Sequence, residues 1–338
     1  MSLKVLILGI NGFIGYNLTK KILATTDWEI YGMDIASHKL KKLLDNSRLH
    51  FTLGDITKDQ AWIAQNLATC DVVLPLVAIA NPAIYITQPL RIFELDFEAN
   101  LAIIKQCVQL KRRVIFPSTS EVYGMSPDLK FNEETSPLMQ GPIQKERWIY
   151  SCCKQLLDRV IYAHSNHHAL PYTLFRPFNW IGPEQDEVNN AKASVRVIPQ
   201  FICNIIHNKD LQLVDGGTQR RCFIYIDDAI DALIKIIANQ NGCADNKIFN
   251  IGNPANDASI KEIAEKVLMY AKNTKYRDQA NKIKIVNTSA IQYYGSGYQD
   301  MRVRVPDISN AIHHLSWQPT TKLDEAIKLT VEYYLNHE

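Results

Sequence analysis

Lys4-Val5-Leu6-Ile7-Leu8-Gly9-Ile10-Asn11-Gly12-Phe13-Ile14-Gly15 is a short apolar run that ends in three evenly spaced glycines. The run reads as a buried strand, and the apolar periodicity of residues 16–24 reads as a helix. The glycines between them let the chain turn sharply and bring its backbone close to a pyrophosphate, at a helix N-terminus whose free N–H groups favour an anion. The next apolar stretch, residues 28–33, ends in Asp34, about twenty residues past the turn, where an acid holds adenosine ribose hydroxyls. The same carboxylate repels a 2′-phosphate, so the pattern selects NAD over NADP. Strand, Gly9/Gly12/Gly15 turn, helix, strand and acid together specify a dinucleotide-binding βαβ unit, which the glycines alone would not.

Outward from this unit the chain keeps alternating. Residues 51–56, 71–78, 114–116 and 171–176 read as further strands, and residues 93–110 as one long helix whose Asn100 faces the site. Strands alternating with helices predict a Rossmann-type doubly wound parallel sheet of the α/β class. Asp55, at the end of the third strand, is read equally as an adenine contact or a turn residue. Beyond residue 176 the alternation stops at Pro177-Phe178-Asn179-Trp180-Ile181-Gly182-Pro183. Residues 184–194 are polar and expected to form a mobile loop. Helices at 197–206 and 227–238, strands at 212–214 and 247–251, and a capped amphipathic helix at 259–271 follow. The expected division is an NAD-binding domain over residues 1–176, completed by elements from about 222–252, and a smaller, mainly substrate-binding domain over residues 177–338.

The chain has 338 residues, 46% apolar and 21% charged, with a net charge of +2. That is an ordinary globular enzyme composition, with no basic block or motif for nucleic acid. No apolar run reaches the roughly 18 residues of a membrane span, and residues 1–8 lack a signal peptide's charged head and cleavage site. Seven cysteines without a C-x-x-C spacing fit reduced thiols in a cytoplasmic protein.

The chemistry is carried by two stretches. Pro117-Ser118-Thr119-Ser120-Glu121-Val122-Tyr123-Gly124 follows the fifth strand, so hydroxyls and a carboxylate lie at the sheet edge where α/β proteins bind ligands. Tyr150 and Lys154 lie four apart in a helical segment and share a face. A Tyr-x-x-x-Lys spacing alone is most often an ordinary amphipathic helix. Thr119 and the glycine turn make the catalytic reading the better one, with the Lys154 ammonium favouring a Tyr150 phenolate as base.

These motifs resemble the extended short-chain dehydrogenases/reductases that act on nucleotide sugars. Within that family the chain is most similar to the UDP-glucuronate decarboxylase domains of bifunctional polymyxin-resistance proteins, and next to plant UDP-apiose/xylose synthases. The similarity runs through VLILGINGFIG, DVVLPLVAIANP, FPSTSEVYGM, RWIYSCCKQLLDRV, TLFRPFNWIGP, LVDGGTQRRCF, NIGNP and YYGSGYQD, nearly the whole chain. A formyltransferase domain is not expected, because the glycine motif begins at Gly9. The resemblance implies NAD contacts at Gly9, Asn11, Gly12, Phe13, Ile14, Gly15, Asp34, Asp55, Ile56, Tyr150 and Lys154. It implies catalytic roles for Thr119, Ser120, Glu121, Tyr150, Lys154 and Arg304. It implies substrate contacts at Ala78, Tyr85, Thr119, Ser120, Arg147, Asn179, Gln212, Arg221 and Tyr298. Gln212 departs from the lysine of the bifunctional domains. Ala80 and Ser120 stand where the apiose synthases carry cysteines, which argues against ring contraction.

The implied activity is NAD-dependent oxidation of UDP-glucuronate at C4 followed by loss of C6 as CO2, giving a UDP-4-keto-pentose in a lipid A modification setting. The alternatives are a UDP-xylose synthase with internal re-reduction, a UDP-uronate 4-epimerase, and a non-catalytic NAD-sensing protein. The resemblance also implies a homodimer or higher homo-oligomer. No metal is expected. His164, His167 and His168 have ligand-like spacing but no catalytic glutamate motif, and read as a solvated helix end. Cys152 and Cys153 read as packing. Arg220 and Arg221 clamp a diphosphate or pair with surface acids. Arg304 is expected to enter the site when its glycine-containing loop closes on substrate.

Overall fold

Strand β1 (Lys4–Leu8) lies inside a seven-stranded sheet because both of its faces are apolar. Val5 and Ile7 point into one core cluster, Leu6 and Leu8 into another, as the two-residue strand repeat requires. The computed structural model describes residues 2–190 and 196–336. The other strands of the sheet are β2 (Glu29–Asp34), β3 (Leu49–Leu53), β4 (Val72–Pro75), β5 (Arg113–Pro117), β6 (Tyr172–Pro177) and β7 (Lys247–Ile251). They run parallel in the order β7-β6-β5-β4-β1-β2-β3. The chain reverses direction across the sheet between β1 and β4, so a crevice opens beyond their carboxyl ends.

Helices cover both faces. Helix α1 (Phe13–Thr25) and helix α5 (Ile226–Ala238) bury Leu18, Ile22, Leu233 and Ile236 against one face. Helices α2 (Gln60–Thr69), α3 (Asn100–Leu110) and α4 (Ile149–His168) bury Ile63, Leu67, Ile103, Ile104, Leu157 and Ile161 against the other. Each such side chain contributes about 1.5–3 kcal/mol of apolar burial, which is why a parallel sheet needs both layers.

Beyond Pro177 the chain forms small pairings at the sheet's carboxyl edge. Arg220–Cys222 lies between Asp257–Ser259, antiparallel, and Val303–Arg304, parallel. Leu211–Val214 pairs with Ile285–Thr288, and Trp180–Ile181 with Ile224–Tyr225. Ser259 caps Ile260–Ala271 with a full capping box through Glu262, as the sequence predicted.

Three expectations change. The helix at residues 93–110 is not uniform: Phe93–Ala99 is a π-helical turn that leads into α3. The third strand stops at Leu53, and Asp55 accepts the Thr57 backbone N–H and hydroxyl at 2.9 and 2.8 Å in a turn of its own. Residues 184–190 are tied down. Lys39 bonds the Glu184 carbonyl, the Asp186 N–H donates to Tyr334, and Arg196 grips the Asp186 carboxylate at 2.8 and 3.0 Å. Residues 191–194 of that expected loop lie outside the described residues.

Candidate active site

The carboxyl end of β5 builds the centre. The Thr119 hydroxyl caps a 3-10 turn, Ser120–Tyr123, by accepting the Glu121 N–H at 3.2 Å. Gly124 ends the turn with φ +55°, and a Cβ there would lie 1.8 Å from the Met139 carbonyl oxygen, so no other residue fits. Thr119, Ser120 and Glu121 are thereby fixed and buried beside α4. On α4 Tyr150 lies beside Thr119, whose hydroxyl favours the phenolate. Its ring stacks on Tyr85 with centroids 4.7 Å apart and planes 7° apart. One turn on, Lys154 donates to the Pro117 carbonyl at 3.0 Å, with its ammonium 4.7 Å from the Phe116 ring centroid and 6.0 Å from that of Tyr150.

Guanidinium groups gather opposite. Arg147 lies 3.3 Å and Arg304 3.6 Å from the same Glu121 Oε1. Arg304 donates to the Ser120 hydroxyl at 3.3 Å and to Asn179 Oδ1 at 3.1 Å, while Asn179 donates to the Cys222 carbonyl at 2.9 Å. Arg221 donates to Asp300 at 2.6 Å, and Arg147 lies 4.0 Å from that carboxylate and 5.5 Å from the Tyr298 ring centroid. Arg304 is already in the site, contrary to the expectation that it waits for loop closure. Strand pairing in register with Arg221 fixes its backbone.

The electrostatics follow from this crowding. Burial, then the neighbouring Arg221 and Arg147 charges, push the Arg304 guanidinium down to about 10, against the pull of Glu121 and Asp300. Arg147 goes the other way: burial lowers it, but Glu121, Tyr298 and Asp300 together outweigh that. Burial, then Asp96 and Glu121, push the Tyr150 phenol up. The fold by itself does not make a phenolate, so a cation beside Tyr150 is needed.

A cavity of 780 Å³ joins this centre to the glycine turn. It is lined by Gly9, Asn11, Gly12, Phe13, Ile14, Gly15 and Asp34 on one side. On the other it is lined by Ala78, Tyr85, Arg147, Asn179, Gln212, Arg221, Tyr298 and Arg304. The residues fit a dinucleotide. A Cβ on Gly15 would lie 2.5 Å from the Gly9 carbonyl oxygen, so glycine alone allows this close turn. Asp34 accepts the Asn11 and Ala36 N–H groups at 2.9 and 3.2 Å. That leaves its carboxylate lone pairs for ribose hydroxyls. Lys39, which lines the cavity, is paired with Glu184. Asp55 and Ile56 are not brought to the cavity: Asp55 serves its turn and Ile56 is buried in the core with Met33.

The sequence reading missed three groups. Asp300 joins Arg221 and Arg147, and Asp96 is buried behind Tyr150 and Lys154. The third is a buried chain in which Ser118 donates to Asp158 at 2.7 Å, while Arg176 bridges Asp158 and Tyr123. Asp300 was visible within YYGSGYQD but carried no assigned role. Among the described residues no group of three His, Cys, Asp or Glu side chains is placed to hold a metal, and no helix is long and apolar enough to cross a membrane.

Fold and site together define an extended short-chain dehydrogenase/reductase. The chain belongs to the NAD dependent epimerase/dehydratase family, whose pattern matches residues 5–252, and the family is NAD-dependent. It is similar to the PbgP3 protein from Burkholderia pseudomallei, with 48% identity, a TM-score of 0.91, and coverage of 100% of this chain and 97% of that one. Two more distant structures share the fold. One is a UDP-glucuronic acid 4-epimerase from Bacillus cereus, in complex with UDP-glucuronic acid and NAD. It has 22% identity, a TM-score of 0.80, and covers 99% and 100% of the two chains. The other is a dTDP-glucose 4,6-dehydratase from Bacillus anthracis in complex with NAD, with 20% identity, a TM-score of 0.79, and coverage of 100% and 98%.

Proposed function

We propose that this protein oxidises UDP-glucuronate at C4 and removes C6 as CO2, giving a UDP-4-keto-pentose. The observation that carries the reading is Arg304 beside Glu121, Ser120 and Asn179, facing the Thr119–Tyr150–Lys154 group across one cavity. The 48% identity to PbgP3 supports it. Residues 1–176, with elements from about 222–252, would form the cofactor part, and most of 177–338 the sugar-nucleotide part.

Gly9, Asn11, Gly12, Phe13, Ile14, Gly15 and Asp34 would hold NAD. When bound, NAD would supply the acceptor for the C4 hydride and a positive charge to the site. Tyr150 accepts the proton of the 4-hydroxyl, with Thr119 sharing that hydrogen bond and Lys154 opposing the phenolate charge. Oxidation makes C4 a carbonyl β to the carboxylate. The C5–C6 bond then breaks, its electron pair passing into an enolate at C4 and C5. Ser120 and Arg147 hold the departing carboxylate. Arg304, its guanidinium depressed to about 10 and 3.6 Å from Glu121, faces the developing charge and delivers the proton to C5. Tyr298, Asn179, Arg221 and Gln212 hold the sugar nucleotide.

The test is to incubate purified protein with UDP-glucuronate and NAD+, count CO2 and NADH, and identify the product by mass spectrometry and NMR. CO2 with UDP-4-keto-pentose supports the reading. UDP-galacturonate without CO2 would make the protein an epimerase instead.

A further inference from the structure

Asp96 is a fully buried carboxylate that the chemistry above does not use. It sits in the π-helical turn Phe93–Ala99. One extra residue per turn rotates the side chains that follow, and such turns recur at functional sites. The Asn100 amide fastens this turn by donating to the Val77, Leu95 and Asp96 carbonyls at 3.3, 3.1 and 3.2 Å. Asp96 Oδ2 accepts the Ile79 N–H at 3.1 Å, while Oδ1 is buried with no hydrogen-bond partner. A carboxylate in that position is costly unless a charge stands opposite it.

The opposite charge is on α4. The titratable groups that feel Asp96 are Lys154, Tyr150 and Cys153 on α4, and Tyr85 on Pro82–Thr87. Lys154 is the one cation among them. Two carboxylates act on Lys154: Asp96 and Asp158. Asp158 already faces a second cation, with Arg176 at 3.3 Å, and accepts the Ser118 hydroxyl through the same Oδ2, although its Oδ1 is also buried without a hydrogen-bond partner. Lys154 in turn is buried, with one hydrogen bond, to Pro117. Lys154 is therefore the one cation that acts on Asp96, whereas Asp158 has Arg176 as well.

We propose that Asp96 is a positioning residue of the catalytic pair, the countercharge that holds the Lys154 ammonium behind Tyr150. The proposal rests on the roles given to Tyr150 and Lys154 above. Burial pushes the Lys154 ammonium down, and Asp96 is the first group that opposes this. Asp96 itself is pushed up by burial to about 6, so it is ionised at neutral pH. Its charge also opposes the Tyr150 phenolate directly. The two actions differ in sign and can be separated.

The experiment compares Asp96→Asn and Asp96→Glu with the unaltered protein. Lys154 is followed by NMR in protein labelled at lysine Cε, with Lys154→Met assigning the signal. In D96N the Lys154 ammonium is expected to lose its proton at lower pH, and in D96E the titration is expected to recover. In NADH formation from UDP-glucuronate, D96N loses the alkaline side of the pH profile first, roughly 100-fold at about pH 8.5. An unchanged Lys154 titration in D96N overturns the proposal. So does a D96N enzyme that gains activity on the acidic side alone, which would make Asp96 a brake on Tyr150. If D96N does not fold, Asp96→Ala is read in its place: it must lower the pH at which Lys154 loses its proton, which D96E restores, and an unmoved signal in D96A overturns the proposal. If the unaltered protein makes no NADH from UDP-glucuronate, the proposed substrate fails, while the NMR arm still decides the role of Asp96.

Discussion

Arg304 Nη1 lies 3.6 Å from Glu121 Oε1, although 183 residues separate them, and it also donates to the neighbouring Ser120 hydroxyl. Strand pairing sets the distance: Arg304 is in register with Arg221, while Glu121 is fixed by the turn that Thr119 caps. A structural ion pair and a decarboxylation pair would look alike here, but mutation separates them. Removing a group aimed at developing charge typically costs about 100- to 1000-fold in rate. Arg304→Ala and Glu121→Ala are expected to keep NAD and UDP-glucuronate binding and to release CO2 more slowly by that factor. Single-turnover counting of labelled CO2 against NADH absorbance is the measurement. CO2 release at the unaltered rate in both variants would make the pair structural.

Tyr150→Phe keeps the ring and its stack on Tyr85 while removing the hydroxyl. The variant is expected to fold, to bind NAD, and to lose NADH formation by about 100- to 10,000-fold. Near-normal turnover would mean that another group takes the 4-hydroxyl proton.

The parts of this site that were legible in the sequence are local. Gly9, Gly12, Gly15 and Asp34 follow one strand and end the next, so spacing alone places them. Tyr150 and Lys154 share a face by helix geometry. Asp96 was hidden because Glu94 and Glu98 flank it, and LDFEAN reads as a solvated face at an α-helical period. The π turn changes the phase and sends Asp96 inward. Asp300 was visible in the sequence but had no role there, because its meaning depends on Arg221 and Arg147, which reach it from distant elements. Asp55, read equally as an adenine contact or a turn residue, shows how far an acid near a strand end leaves the choice open: one of its oxygens accepts from Thr57 in a turn of its own.

Asp34 is proposed to set the cofactor preference, and its carboxylate also accepts the Asn11 N–H of the glycine turn. Asp34→Ala would remove both functions, whereas Asp34→Asn keeps an acceptor and removes the charge. In the unaltered protein NAD+ is expected to bind more tightly than NADP+, and Asp34→Asn to narrow that gap by weakening NAD+ more than NADP+. Calorimetric titration of both cofactors is the check, and tighter NADP+ binding by the unaltered protein would overturn the assignment.

Glu133 lies away from the cavity and predicts a pH dependence of stability. Its Oε1 accepts the Asn250 N–H at 2.7 Å, while Oε2 is buried without a partner. Burial, assisted by Asp307 and opposed by those hydrogen bonds and Arg176, pushes its carboxyl up to about 7 from an ordinary 4.5. A raised acid favours the folded state while it is protonated. The contribution is therefore fully present below about pH 4.5 and is lost as pH rises through about 7. The span corresponds to about 3 kcal/mol. Glu133→Gln keeps the acceptor for Asn250 and cannot ionise, so it should remove this slope and be the more stable form above about pH 8. Other groups titrate in the same range, Asp96 among them with the same sign, so the quantity to read is the difference between the two proteins. Urea unfolding of both at a series of pH values gives it directly. A difference that stays constant from about pH 5 to pH 9 would show that Glu133 ionises in the folded protein as freely as in the unfolded chain.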